Sequence, residues 1–414
     1  MCYRISAAAL LICAMTGPAR AQERSSAPPA EGTPLFQEPA AMTAGFNFAE
    51  KYFKGDTGEK NAGWFPVFKT SVTGDGWISL GGGYRAPVLQ RRAWLETSAA
   101  YSWRGYKVAD AGFEVPEIGG SRVSLGTQVH WQDLTQVSYF GAGPDSSSLR
   151  TDYALRTTEI IGFATYRPRE VVALEARVGR VSRPDLSSSS GPFDSGYPDA
   201  MLIFRDEPGF DQIEQPGFLH TQVSATADTR DSRGLPRRGG MYRAAAAVYS
   251  DRDEGRFSFR RYELEALHAI PLSPVRWTLA LHGWSVFSDT TGDNEVPAYM
   301  LPSLGGSTTL RSFADYRFHD RHLLLVSAES RWALFEHVDV ALFADAGSVA
   351  AQVRDLGLKE ISYGVGLRVH VRSTTIGRVD VAHGREGLRL LFRLNDPFRL
   401  NRLSRRNAAV PFVP

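Results

Sequence analysis

The chain has 414 residues, 47 of them basic and 45 acidic, for a formal net charge of +2. Charge that is near neutral and scattered in both signs excludes a nucleic-acid binder, which needs a clustered basic face. Glycine and aromatic residues are plentiful and apolar stripes of helical period are scarce, so the composition favours an all-β architecture.

Residues 1–21 read as a cleaved secretory signal: Arg4, an apolar run from Ile5 to Met15, then Ala19-Arg20-Ala21 before Gln22. The run is too short to span a membrane as a helix, and no later stretch approaches the roughly 20 apolar residues required. Both cysteines, Cys2 and Cys13, lie inside it, so the exported chain offers no disulfide or thiol chemistry. Leu11-Ile12 before Cys13 do not fit the small residues that precede a lipid-attachment cysteine. Residues 22–63, with Pro28-Pro29 and few β-branched side chains, read as a flexible leader whose one ordered candidate is an amphipathic turn from Phe46 to Phe53.

From Trp64 the chain becomes a series of alternating segments separated by turn clusters, the pattern of transmembrane strands of about ten residues each. Sixteen segments qualify: 64–72, 76–87, 91–103, 106–116, 121–133, 153–166, 169–183, 217–229, 240–251, 256–270, 274–288, 322–334, 338–350, 360–371, 373–385 and 387–398. A soluble sandwich alternates in the same way, because period two reports only one dry face and one wetter face. Two features favour a membrane barrel over residues 64–398. The wetter face carries bulky charges strand after strand, as a water-filled lumen permits. Connection lengths also alternate: 134–152, 184–216 and 289–321 are long, whereas Pro168-Arg169, Leu272-Ser273-Pro274 and Phe335-Glu336-His337 are tight. Long extracellular loops and short periplasmic turns are the bacterial outer-membrane arrangement.

Pro66 in the first strand cannot donate to a ladder, which would weaken a seam with the last strand, where Phe392 and Phe398 lie. Near a strand start it is also an ordinary residue. The connection 289–321 is the sixth extracellular loop on this count. It carries Gly305-Gly306 and then Leu310-Arg311-Ser312-Phe313. In the strand that follows, Ser327, Glu329 and Arg331 share one face; in the next, Asp339, Ala341, Phe343 and Asp345 do, before Gly347. An arginine on a loop folded inward could meet both Glu329 and Asp345.

This order of motifs resembles the hallmark of the outer-membrane assembly superfamily, the BamA/TamA-like, two-partner secretion and bacterial surface antigen barrels. The family's long loop carries Gly-Gly and a Val/Leu-Arg-Gly-Phe/Tyr tip, followed by Glu-x-Arg and Phe-x-Asp-x-Gly on the next two strands. The resemblance implies a sixteen-stranded transmembrane antiparallel β-barrel with an inward-folded sixth extracellular loop, in which Arg311 bonds to Glu329 and Asp345. Ser312 stands where the family has glycine, a replacement that costs on the order of 1 kcal/mol if the tip requires positive φ. Asp228-Thr229-Arg230-Asp231 to Gly240 is similar to a periplasmic turn of the family, and Gly387 to Phe398 to its C-terminal strand, which here is followed by a basic tail, 399–414. BamA-like members also carry periplasmic POTRA modules; residues 22–63 are too few to build one, so the resemblance is to a POTRA-less member.

Enzyme readings find no support. There is no Gly-x-Ser-x-Gly elbow, and Asp380 and His383 stand three apart on a strand, on opposite faces. His319-Asp320-Arg321-His322 reads as a solvated loop, and no metal or other cofactor is expected. The resemblance implies a barrel that inserts or translocates proteins, or lipid, at the outer membrane of a Gram-negative cell, with outer-membrane lipid and a client protein or periplasmic partner as its partners. The alternative is a passive structural barrel or pore that has lost client handling.

Overall fold

The computed structural model describes residues 34–40, 42, 43, 46, 62–69 and, apart from 120, 194, 213, 274, 275, 372 and 373, residues 79–394. The signal segment, most of the leader, Phe398 and the tail lie outside the described residues. Strands dominate: β1 (Gly63–Lys69), β2 (Ser79–Val88), β3 (Ala93–Ser102), β4 (Lys107–Val115), β5 (Val123–Tyr139), β6 (Thr151–Arg169), β7 (Val172–Val181), β8 (Asp185–Ser188), β9 (Phe218–Asp228) and β10 (Gly239–Asp251). The second half holds β11 (Phe259–Ser273), β12 (Trp277–Thr290), β13 (Ser303–Leu304), β14 (Phe318–His319), β15 (His322–Ala333), β16 (Val338–Ala350), β17 (Glu360–Val371), β18 (Thr374–Gly384) and β19 (Gly387–Arg393).

β1 to β7, then β9 to β12, then β15 to β19 pair antiparallel with their neighbours in chain order. Alternation decides which way each strand faces. Val326, Leu342, Tyr363, Val365, Leu388 and Leu390 are exposed, while Glu329, Asp345, Arg368 and Asp380 on the intervening positions are buried. An apolar outer band over a polar interior is the physical signature of a barrel wall in lipid.

The structure departs from the periodicity at the long-loop end. β5 continues to Tyr139 and β6 begins at Thr151, so their connection shortens to 140–150. Asp133 to Tyr139 are all buried, because loops pack on both faces there and erase the period-two signal. The connection 184–216 is not irregular throughout: β8 pairs with β6, Leu186 opposite Leu155, and Ala200–Ile203 forms one helical turn. At this end of the barrel, strand residues Tyr139, Tyr153, Phe218 and Tyr249 and loop residues Phe210 and Tyr299 belong to one buried apolar cluster. Tyr139 alone meets Tyr153, Phe204 and Phe210 edge-on, with ring centroids 5.0 to 6.4 Å away.

Two further expectations are corrected. The leader, read as flexible, is bonded to the barrel in its described part: Leu35 and Phe36 donate backbone hydrogen bonds to Ala333 and Leu334. His319, Asp320 and His322 are buried rather than solvated, because β13 and β14 pair and Ala142 bridges to His319. His319 lies between Tyr139 and Tyr316, and burial pushes its imidazole down to about 3, so it is neutral.

Candidate functional site

The segment from Gly305 to Phe313 forms a compact tip because its two glycines occupy the left-handed region, with φ of 115° and 93°. A Cβ at Gly305 would collide with the Ala314 carbonyl and one at Gly306 with the Asp315 carboxylate, so the turn requires both glycines. Thr309 closes the turn, its Oγ receiving the Gly305 N–H at 2.9 Å and donating to the Gly305 carbonyl at 3.0 Å. Leu310 and Phe313 are fully buried with Trp284, Leu304, Phe318 and Leu325 on the inner wall, each burial stabilising by about 1.5–3 kcal/mol. Gly347 leaves room for this: a Cβ there would lie 3.2 Å from Leu304 and closer still to the Leu324 carbonyl.

That apolar anchorage aims Arg311 at two carboxylates. Its Nε and one Nη donate to the two oxygens of Asp345, each at 2.8 Å, and its other Nη donates to Glu329 at 2.7 Å. The guanidinium also lies over Phe343, 3.5 Å from the ring centroid. Arg311, Glu329 and Asp345 are each 0–1 % exposed, so the geometry is that of a fork gripping a carboxylate out of water.

The network extends beyond what the sequence motifs named. Arg331 donates to Glu329 at 2.7 Å, and Arg368 reaches both Glu329 oxygens at 3.0 and 2.8 Å. Asp380 then bridges Arg368 and Arg378, 2.5 Å from each. Arg378 continues to the Ser307 carbonyl, Arg393 to the Ser307 hydroxyl at 3.1 Å, and Arg389 to the Phe313 carbonyl. The tip is therefore held by β15 and β16 through Arg311 and by β18 and β19 through three further arginines. The expectation of a water-filled lumen is corrected on this wall: Arg311, Arg331, Arg368 and Arg378 are among the most completely buried side chains. They can be buried because Gly364 and Gly366 leave space; a Cβ at Gly366 would lie 2.6 Å from the Arg368 guanidinium, and one at Gly364 2.7 Å from the Phe343 ring.

Ser312 does not have positive φ; the non-glycine residue of this loop in the left-handed region is Tyr316, just past the tip, at 58°. The strain anticipated at Ser312 therefore does not arise. Its N–H donates to Ser362 Oγ at 2.8 Å, while its own hydroxyl is buried without a partner against Gly384. We expect Gly384→Ala to destabilise by about 1–3 kcal/mol, since its methyl would meet the Ser312 hydroxyl and, at 2.8 Å, the Ile361 carbonyl. Ser312→Gly alone should be close to neutral and should recover part of that loss in the double variant; thermal unfolding of the four proteins measures it. Equal loss with and without Ser312 would disprove the contact.

At the short-turn end, Arg230 grips Asp228 with two bonds of 2.9 Å, and the same turn sends Arg237 to Asp339 at 3.2 Å. Pro66 is exposed within β1, opposite Gly82 of β2, and Phe392 points outward from β19. Asp380 faces inward and His383 outward, so the two form no pair.

Residues 92–384 match the family model described as the Omp85 superfamily domain. Among solved structures, BamA from Haemophilus ducreyi lacking POTRA domains 1–3 is similar over 80% of this chain and 68% of that one, at 14% identity and a TM-score of 0.59. CdiB from Escherichia coli is similar over 80% of this chain and 60% of that one, at 13% identity and a TM-score of 0.51. At these identities the two structures show a common barrel fold. No curated protein matches the chain.

Proposed function

The chain belongs to the Omp85 superfamily, and on that premise we propose that it is an outer-membrane barrel that inserts or translocates client proteins, or lipid, at the seam between β1 and β19. The observation that carries this reading is the grip of Arg311 on Glu329 and Asp345, braced from β18 and β19. It ties the loop to four strands of one wall, so that compliance is left to the seam. β1 and β19 are the first and last strands of the ladder, and Pro66 removes one donor from β1. A parted seam would present two strand edges with unpaired N–H and C=O groups, a template on which a client strand can add. The dry aromatic cluster over the long-loop end favours this sideways route over a passive open pore. Outer-membrane lipid and a client protein or periplasmic partner are the partners this reading implies.

The test compares outer-membrane and secreted proteins, quantitatively, in cells with the wild-type chain, without it, and with Arg311→Ala. Depletion of one or a few specific proteins, in the deletion and the variant alike, is the expected result and names the client. An unchanged protein profile together with steady ion conductance of the purified barrel would replace the proposal with a passive pore.

A further inference from the structure

On the short-turn side, a part of the chain far from the Arg311 grip converges on the β15–β16 turn. Leu35 and Phe36 donate to the Ala333 and Leu334 carbonyls at 3.2 and 3.0 Å, laying two residues beside the end of β15, and Phe36 approaches the Phe335 ring. The segment then turns, Met42 and Thr43 both donating to the Pro39 carbonyl, and this brings Glu38 beneath the barrel. His337 Nδ1 lies 3.0 and 3.2 Å from the two Glu38 oxygens, and the Thr43 hydroxyl donates to Glu38 at 3.1 Å. The Glu38 and His337 side chains are only 4 % and 9 % exposed. Phe46 stacks on the His337 ring at 4.5 Å with 12° between planes, which fixes the direction of its nitrogens. Glu336, next in the turn, brings a second carboxylate, and the ligand atoms of Glu38, Glu336 and His337 all lie within 4.8 Å of one another.

The geometry points to a divalent-metal site, with Zn2+ as the best-fitting ion, built from Glu38, Glu336 and His337 and fastening the N-terminal segment to the barrel. Two arguments carry it. The donor set of one imidazole and two carboxylates suits a borderline cation and leaves a further position for water. The exposed Glu336 side chain can swing by the small amount needed to bring its oxygen to a ligand distance of about 2.0–2.2 Å. The neighbouring Asp339 is engaged by Arg237 at 3.2 Å and by His370 at 3.3 Å. A divalent cation would join the two carboxylates of Glu38 and Glu336 to the imidazole of His337. The Thr43 hydroxyl on Glu38 and the Phe46 ring on His337 act as the supporting shell that orients two of the three ligands.

The bland competitor is an ion pair of Glu38 with protonated His337, and the two are separable. Full-length protein in detergent, stripped with a chelator, is titrated with Zn2+ by calorimetry. Wild type should bind one Zn2+ per chain, and Glu38→Gln, Glu336→Gln and His337→Ala should each weaken binding by roughly 10- to 100-fold or more. Heat-modifiable gel mobility checks that each barrel is folded. Glu38→Gln guards against misfolding as an explanation, since it alters only the docked N-terminal segment. As a second readout, Zn2+ should slow amide exchange at Leu35 and Phe36 in wild type and leave it unchanged in the variants. No Zn2+ binding by wild type, binding that survives either glutamate change, or exchange insensitive to Zn2+ would overturn the site.

Discussion

Arg311→Ala should lower barrel stability by about 3–5 kcal/mol, the usual cost of removing one partner from a buried ion pair, and release the loop tip from the wall. The loss falls unevenly on the two carboxylates. Glu329 keeps Arg331 and Arg368, whereas Asp345 loses the guanidinium that bonds both of its oxygens at 2.8 Å. Adding Asp345→Asn, which removes the stranded charge, should therefore recover part of the stability. Arg311→Lys should behave more like alanine than like wild type, because an ammonium keeps the charge but not the fork that grips both carboxylates. The temperature at which the folded form gives way on a heat-modifiable gel measures all four proteins. If the alanine variant converts at the wild-type temperature, the grip contributes nothing and the seam argument loses its foundation.

Glu329→Gln should be at least as damaging, again about 3–5 kcal/mol or more, although it changes a single atom type. Three arginines converge on this carboxylate with four bonds of 2.7 to 3.0 Å. An amide offers one acceptor and turns a donor toward guanidinium groups that can only donate. Three buried cations then share fewer acceptors, and Asp380 and Asp345 are the carboxylates left to hold Arg368 and Arg311. The fraction of chain that reaches the folded, protease-resistant form in the outer membrane is the measurement, with Arg311→Ala/Glu329→Gln beside it. The double variant should lose clearly less than the sum, because removing Arg311 relieves part of the crowding. Strict additivity would mean that the arginines do not act through a shared carboxylate.

Much of this was legible in one dimension. Strict alternation placed Glu329 and Asp345 on the same side as Arg331 and opposite Val326 and Leu342, and the tip motif supplied an arginine to meet them. What alternation does not carry is lateral position. Arg368 reaches Glu329 across β16 because register sets Phe343 beside Gly364, and the missing side chain opens the way. Asp380 was weighed only against His383, its neighbour in sequence, whereas its real partners Arg368 and Arg378 are chosen by the pairing of β17 with β18. Burial was misjudged for the same reason. Charges on the inner face read as wetted by a lumen until the loop tip fills the space, and the tip's position follows from contacts 18 to 86 residues away. Glu38 lies still further out, its partner His337 being 299 residues along the chain.

These separations also rank the contacts by the cost of closing them. Arg311 meets Glu329 and Asp345 across 18 and 34 residues, Arg368 meets Glu329 across 39, and Arg393 reaches Ser307 across 86. Every one of these contacts lies within the C-terminal third, while a seam between β1 and β19 spans nearly the whole chain. The joint of β1 with β19, the contact of largest separation, is thus the costliest to close, and it is the one proposed to part.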